Sequence, residues 1–187
     1  MRLAVLLGTC LLTSACGGAG ETRTATETLE AGGEQRAWIH WRDEERGFTV
    51  TYPGAWQRAA SPLTPQLSDP VELLALGTYE LRPGGDRCAH QPVNAVEGLG
   101  PRDALIVIFE RAPPYAESGY PPRQGSPELA RGTGRFCVSG TNRLDSWLSF
   151  GESGRAFYAL LALGENASEE TRSQLLAVYE SIVFDQS

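Results

Sequence analysis

Between Gly47 and Trp56 the chain reads GFTVTYPGAW, with Phe48, Val50 and Tyr52 alternating with Thr49 and Thr51. A period of two is the pattern of a half-buried strand. Pro53-Gly54 ends it, because proline has no N–H for a ladder and glycine accepts positive φ, so the chain turns before Ala55 and Trp56. The tryptophan is expected to reach back over the strand. Upstream, Trp38, His40 and Arg42 share one face of an extended run and Ile39 and Trp41 the other, with Asp43 to Gly47 as a charged turn. The two runs read as a hairpin.

Further along, Ser61 to Pro70 carries three prolines and little alternation and reads as loop. Val71 to Leu81 is apolar enough for a strand, in which Gly77 marks a bulge or a close backbone approach. Arg82 to His90 then leaves the sheet, and Pro92 to Leu99 fits one or two helical turns stopped by Gly100-Pro101. Asp103 to Glu110 contains Leu105-Ile106-Val107-Ile108-Phe109, apolar on both faces, which predicts a central strand covered on both sides. Arg111 to Pro127 is a long irregular interval with five prolines, Tyr115 and Tyr120. It is either a surface excursion packed by its own tyrosines or a binding rim, stiffened by its Pro-Pro pairs. Arg135 to Gly140 alternates as a short strand. Asp145 to Gly151 and Arg155 to Leu163 form an antiparallel hairpin across Glu152-Ser153-Gly154. Ser168 caps a helix with Glu169 and Glu170 in its first turn and an apolar stripe of Leu175, Leu176, Val178, Tyr179 and Ile182.

The aromatic strand, Pro-Gly corner and following tryptophan of Phe48 to Trp56 match the pattern FxxxYPxxW, and the chain closes on Ser181-Ile182-Val183-Phe184 after a helix. Both features resemble the PsbP and Mog1-like domains. The resemblance covers Gly47 to Trp56 and Phe157 to Phe184, and leaves the middle unmatched. It implies an α+β fold, an antiparallel β-sheet flanked by helices as an α/β/α sandwich. It also implies a mode of action, since PsbP-like domains act mostly as accessory or assembly partners of larger complexes and Mog1-like ones bind a protein.

The N-terminus carries an address. Met1-Arg2 is a short positive region, Leu3 to Leu12 an apolar run too short to span a bilayer, and Thr13-Ser14-Ala15 a small-residue stretch directly before Cys16. This resembles the bacterial lipobox, in which the cysteine is lipidated and becomes the first residue, although Thr13 stands where leucine is usual. An ordinary signal peptide cut near Ala15 is the alternative. Residues 1–15 thus read as a lipoprotein signal peptide. Residues 16–37 read as a lipidated cysteine and flexible tether, rich in Gly, Glu, Thr and Ala, and 38–187 as a single domain. About twenty flexible residues reach roughly 25 Å. The expected location is extracytoplasmic, on a bacterial membrane.

Composition narrows the function. The formal net charge of −7 argues against a nucleic-acid surface, which needs clustered cation, and 41% hydrophobic residues suffice for a core. All 16 basic residues are arginine. Cys10 leaves with the signal peptide and Cys16 is taken by lipid, so Cys88 and Cys137 remain as an even pair in an oxidising compartment and are expected to bond. Two buried free thiols are the alternative.

No nucleotide loop, zinc motif or dinucleotide fingerprint occurs, and Cys88-Ala89-His90 lacks a second pair at ligand spacing, so neither metal nor cofactor is expected. Gly151-Glu152-Ser153-Gly154 resembles a nucleophile elbow only superficially and reads as a hairpin turn. Two functional classes follow. One is a non-catalytic accessory module binding a protein or small ligand through the loops Arg82 to Val93 and Arg111 to Pro127, with Asp86, Arg87, His90, Tyr115 and Tyr120 as contact residues. The other is a surface hydrolase using His90 with Asp86 or a loop carboxylate. The binding module is the expected one.

Overall fold

The computed structural model describes residues 37–84, 91–112, 119–131 and 143–186. Along them run β1 (Trp38–Asp43), β2 (Phe48–Pro53), β3 (Gln57–Arg58), β4 (Val71–Gly77), α1 (Val93–Gly98), β5 (Ala104–Glu110), β6 (Ala130–Arg131), β7 (Arg143–Glu152), β8 (Arg155–Gly164), α2 (Glu169–Ser181) and β9 (Val183–Phe184). Their antiparallel ladders build two sheets, one in the order β1-β2-β9 and a larger one in the order β3-β4-β5-β8-β7-β6.

The α/β/α sandwich expected from the sequence is therefore corrected: the described residues are mostly β, in two antiparallel sheets with only two helices. The physical reason lies at the Pro53-Gly54 corner. The N–H of Trp56 donates to Pro53 O at 2.9 Å, closing a tight turn, and β3 starts at Gln57 in the other sheet. The hairpin that the alternation predicts does form, with Ile39 opposite Tyr52 and Trp41 opposite Val50. The corner, however, lays it over the large sheet as a separate layer. Gly54 fits there because a Cβ would come within 2.9 Å of Ala37 O.

Both faces of the large sheet are covered. Ile106 and Ile108 of β5 and Phe157 and Leu161 of β8 pack with Phe48, Val50, Tyr52 and Trp56 and with Leu175, Val178 and Tyr179 of α2. On the opposite face Leu105, Val107 and Phe109 pack with Ala95 and Val96 of α1 and with Leu63. This double cover is why β5 is apolar without alternation. Gly77 does meet close backbone, Ala104 O lying 3.2 Å from where its Cβ would stand, whereas the irregularity of β4 falls between Glu72 and Leu74.

The β7–β8 hairpin turns at Ser153-Gly154, both with positive φ (55° and 77°), the conformation that matches strand twist in two-residue loops. Glu152-Ser153-Gly154 is thus the hairpin connection, with Gly151 and Glu152 still paired in β7. Ser168 Oγ accepts from Thr171 N at 3.0 Å and caps α2 as its sequence predicts. After α2, Phe184 pairs with Phe48 and stacks on Phe157 at 3.9 Å between ring centroids. The strand expected at Arg135 to Gly140 lies outside the described residues, and β6 at Ala130–Arg131 borders β7 instead.

Candidate functional site

The long proline-rich interval returns to the large sheet at Pro121. There Gly151 donates its N–H to Pro121 O at 2.8 Å, and Pro122 forms an isolated parallel bridge with Gly151. The chain then bows away from β7 and rejoins it as β6, which pairs only with Leu144 and Asp145. A cleft of about 370 Å³ opens in the interval, walled by Pro121, Pro122, Pro127 and Glu128 on one side and by Ser146 to Phe150 on the other, with Tyr179 of α2 at its base. Five consecutive residues of one strand include both of its faces, so the cleft lies at the strand's edge.

Arg123 holds the bowed loop in place. Its Nη2 donates to Glu152 Oε1 at 3.1 Å and its Nε lies 2.7 Å from Glu152 Oε2, an ion pair with both side chains largely buried. Its Nη1 also donates to Tyr179 O at 3.3 Å, in the last turn of α2 where cation suits the carbonyl end of the helix. The guanidinium lies 5.8 to 5.9 Å from the ring centroids of Phe150, Tyr179 and Phe184. Ser126 Oγ bonds Glu180 and adds a second tie to the same helix. Burial raises the Tyr179 hydroxyl to about 12, opposed by nearby Arg123 and assisted by Glu152, so it stays protonated at neutral pH. Glu128 is then the one formally charged side chain among the described lining residues.

Beside the cleft, an aromatic row crosses the other face of the sheet. Trp147, which lines the cleft, lies 6.0 Å from both Phe109 and Tyr158, and Tyr158 meets Tyr120 edge-on at 6.1 Å. The Tyr120 and Tyr158 hydroxyls are 3.2 Å apart, and Arg111 donates to Tyr158 Oη at 3.0 Å. Arg111 also forks onto Asp69, at 2.9 and 3.1 Å, and the Ala112 N–H joins the same carboxylate at 3.0 Å. The bond to Tyr158, then desolvation, raises the Tyr120 hydroxyl above its ordinary value. Tyr120 therefore belongs to a fixed network at the start of the cleft wall.

Of the residues expected to make contacts, only Tyr120 is among those described. Asp86, Arg87, His90 and Tyr115 lie outside the described residues, as do Cys16, Cys88 and Cys137. The hydrolase pairing of His90 with Asp86 falls there too. Among the described residues no group of three or more His, Cys, Asp or Glu side chains is placed to hold a metal ion.

No family model matches this chain, and no curated protein matches it. What it does is therefore read from the site itself.

Sequence reasoning passed over Trp147, Ser149, Arg123 and Glu152. The available signal was Arg123, a single cation set between Pro122 and Pro127 in a loop otherwise free of basic residues from Pro113 onward. A second cavity, of about 100 Å³, lies between Trp41, Arg46, Arg58 and Glu72 and has room for water rather than an organic ligand. Arg58 sits 4.4 Å over the Trp41 ring there. Buried Glu72 accepts from Leu63 N, Thr64 N and Thr64 Oγ1 at 2.9, 3.1 and 3.0 Å. It staples the Pro-rich coil onto β4.

Proposed function

We propose that this chain is a non-catalytic binding module, lipid-anchored outside the cytoplasm, whose partner or ligand enters the cleft between β7 and the 121–128 loop. The observation that carries this reading is the cleft itself. Its volume of about 370 Å³ falls within the range of ligand sites. Its wall combines aromatic and proline surface with a few polar groups: Ser146, Ser149, Gln124 and Glu128. The loop that forms it is fastened at Gly151, at Glu152 and at α2, so binding would meet a preformed wall and a small ordering cost. Anchoring rests on the small residues before Cys16, and two or more acyl chains there would hold the chain stably on a membrane.

Amide NMR of the full-length chain with indole and benzamidine as probes tests the cleft. Saturable shifts should cluster at Gln124, Trp147 and Ser149 and vanish in Ser149→Trp, which fills the opening. Shifts that cluster elsewhere, or none with either probe, would overturn the binding reading. Detergent phase separation with intact mass tests the anchor: the mature chain should partition with detergent and Cys16→Ser should not, whereas an unmodified chain starting at another residue would end that part.

A further inference from the structure

The edge of β7 that faces the cleft is unusual in what it leaves open. Arg111 donates its N–H to Ala156 O at 2.9 Å, and Ala156 stands opposite Gly151 in the β7–β8 register. Gly151 in turn sends its own N–H to Pro121 O, away from β8. Both bonds place Gly151 in a pair whose main-chain groups point outward. By the two-residue period of an antiparallel ladder, Ser149 has the same phase. Its N–H and C=O therefore point into the cleft, where no strand pairs with it among the described residues. The wall opposite cannot complete the ladder readily, because Pro121, Pro122 and Pro127 have no N–H to offer.

A sheet edge with a ready donor and acceptor is a template for another strand. This one is bounded by Pro122 at Gly151 and by β6 at Asp145, and the lining from Ser146 to Phe150 spans about 13 Å at the ordinary rise per residue. Apolar side chains lie on both sides of the edge, Leu148, Phe150 and Tyr179 on one face and Trp147 on the other. Such a site would receive alternate side chains of an inserted strand on opposite sides. Glu128 gives the cleft negative charge with no cation among the described lining residues, on a chain of net charge −7.

We propose that the cleft receives an extended, apolar segment of a partner protein carrying a lysine or arginine, which pairs with the main chain of Ser149 as an added strand on β7. Main-chain bonds would supply affinity and the apolar side chains on either side of the edge selectivity, while Glu128 favours the basic side chain. The inference rests on the cleft being a binding site and adds the class of partner.

The probe is a displayed library of random twelve-residue peptides, selected on the full-length chain. Enriched peptides should alternate apolar residues and carry Lys or Arg, and their binding should slow amide exchange at Ser149. Ser149→Pro removes only an outward N–H and should keep the fold, since proline is tolerated at an outward-facing edge position. It should weaken the peptides about tenfold, the loss expected for about one main-chain hydrogen bond. Glu128→Arg should weaken the basic peptides and leave the urea midpoint in place. A measurement on the peptide keeps the test open if Ser149→Pro misfolds. N-methylation of alternate residues should abolish binding in one phase and spare it in the other.

Tolerance of methylation in both phases, or no enriched peptide, would overturn strand pairing. A chain dimer that Ser149→Pro dissolves would assign the edge to a second copy and also overturn it. Indole or benzamidine still occupying the cleft in either case would leave the binding reading standing.

Discussion

Arg123 Nε stands 2.7 Å from Glu152 Oε2, joining the middle of a proline-rich loop to the residue where β7 turns into β8. Both side chains are mostly shielded, at 18% and 25% exposure, so removing one partner leaves the other charge poorly solvated. Arg123→Ala should cost about 2 to 3 kcal/mol, below the range for fully buried pairs because solvent still reaches both groups. Arg123→Lys should recover only part of this, since one ammonium cannot hold the ion pair with Glu152 together with the bond to Tyr179 O. Urea unfolding of the three proteins checks the order. Equal stability of the alanine and wild-type chains would mean that the loop is held by other contacts.

Trp56→Ala should cost about 3 to 5 kcal/mol, the usual range for emptying an aromatic core site. The ring is 5% exposed and packs with Phe48, Val50 and Tyr52 in the core between the layers. Its Nε1 reaches Gln174 Oε1 at 3.4 Å, linking the Pro53-Gly54 corner to α2. A loss under about 1 kcal/mol in urea would contradict that placement.

Glu72 should give stability a slope with pH that Glu72→Gln flattens. Burial is the largest effect on its carboxyl and raises it above 4.5, while bonds from Leu63 and Thr64 and the charge of Arg46 oppose the rise. The native state therefore holds this proton more tightly than the unfolded chain. Its contribution is fully present below pH 4.5 and is lost as pH climbs through the raised native value. The difference in urea stability, wild type minus Glu72→Gln, should fall between pH 4 and neutrality, and a difference that rises over that interval would reverse the assignment.

On the proposed export, in which Cys10 would leave with a signal peptide and Cys16 would carry lipid, Cys88 and Cys137 should be bonded to each other. Closing about fifty residues is worth roughly 4 kcal/mol in the loop-entropy description, less any native strain. Thiol titration of the unreduced, unfolded chain should find neither thiol free, together with a monomer mass. Two free thiols would end the proposal.

Local pattern was legible where one stretch of sequence decides the outcome. The alternation of Phe48 to Tyr52, the unbroken apolar run of β5, the Ser168 cap and the Ser153-Gly154 turn are all set by neighbours in sequence, and all appear at the expected residues. The layering was not legible, because it depends on which sheet β2 joins after pairing with β1. That choice is made by the tight turn at Trp56 and by Phe184 pairing with Phe48, a partner far along the chain. Of the site, Tyr120 was visible as an aromatic in a stiff loop, and it lies in the wall network. Ser149 was invisible for a different reason. Its main chain is unpaired among the described residues because of how short β6 is and where Pro122 docks, and neither leaves a mark on the residues of β7.

The pairing of β9 with β2 has a consequence for how the protein is made. The small sheet joins Phe48 and Thr49 to Phe184 and Val183, so its third strand cannot be laid down until synthesis has passed residue 184. Until then Phe48 and Phe157 lack the ring that lies against both, and the upper layer has nothing to close it. A ribosome-bound chain therefore presents an open apolar surface. Such a surface is what chaperones and proteases read, and acquisition of Phe184 is the step that removes it.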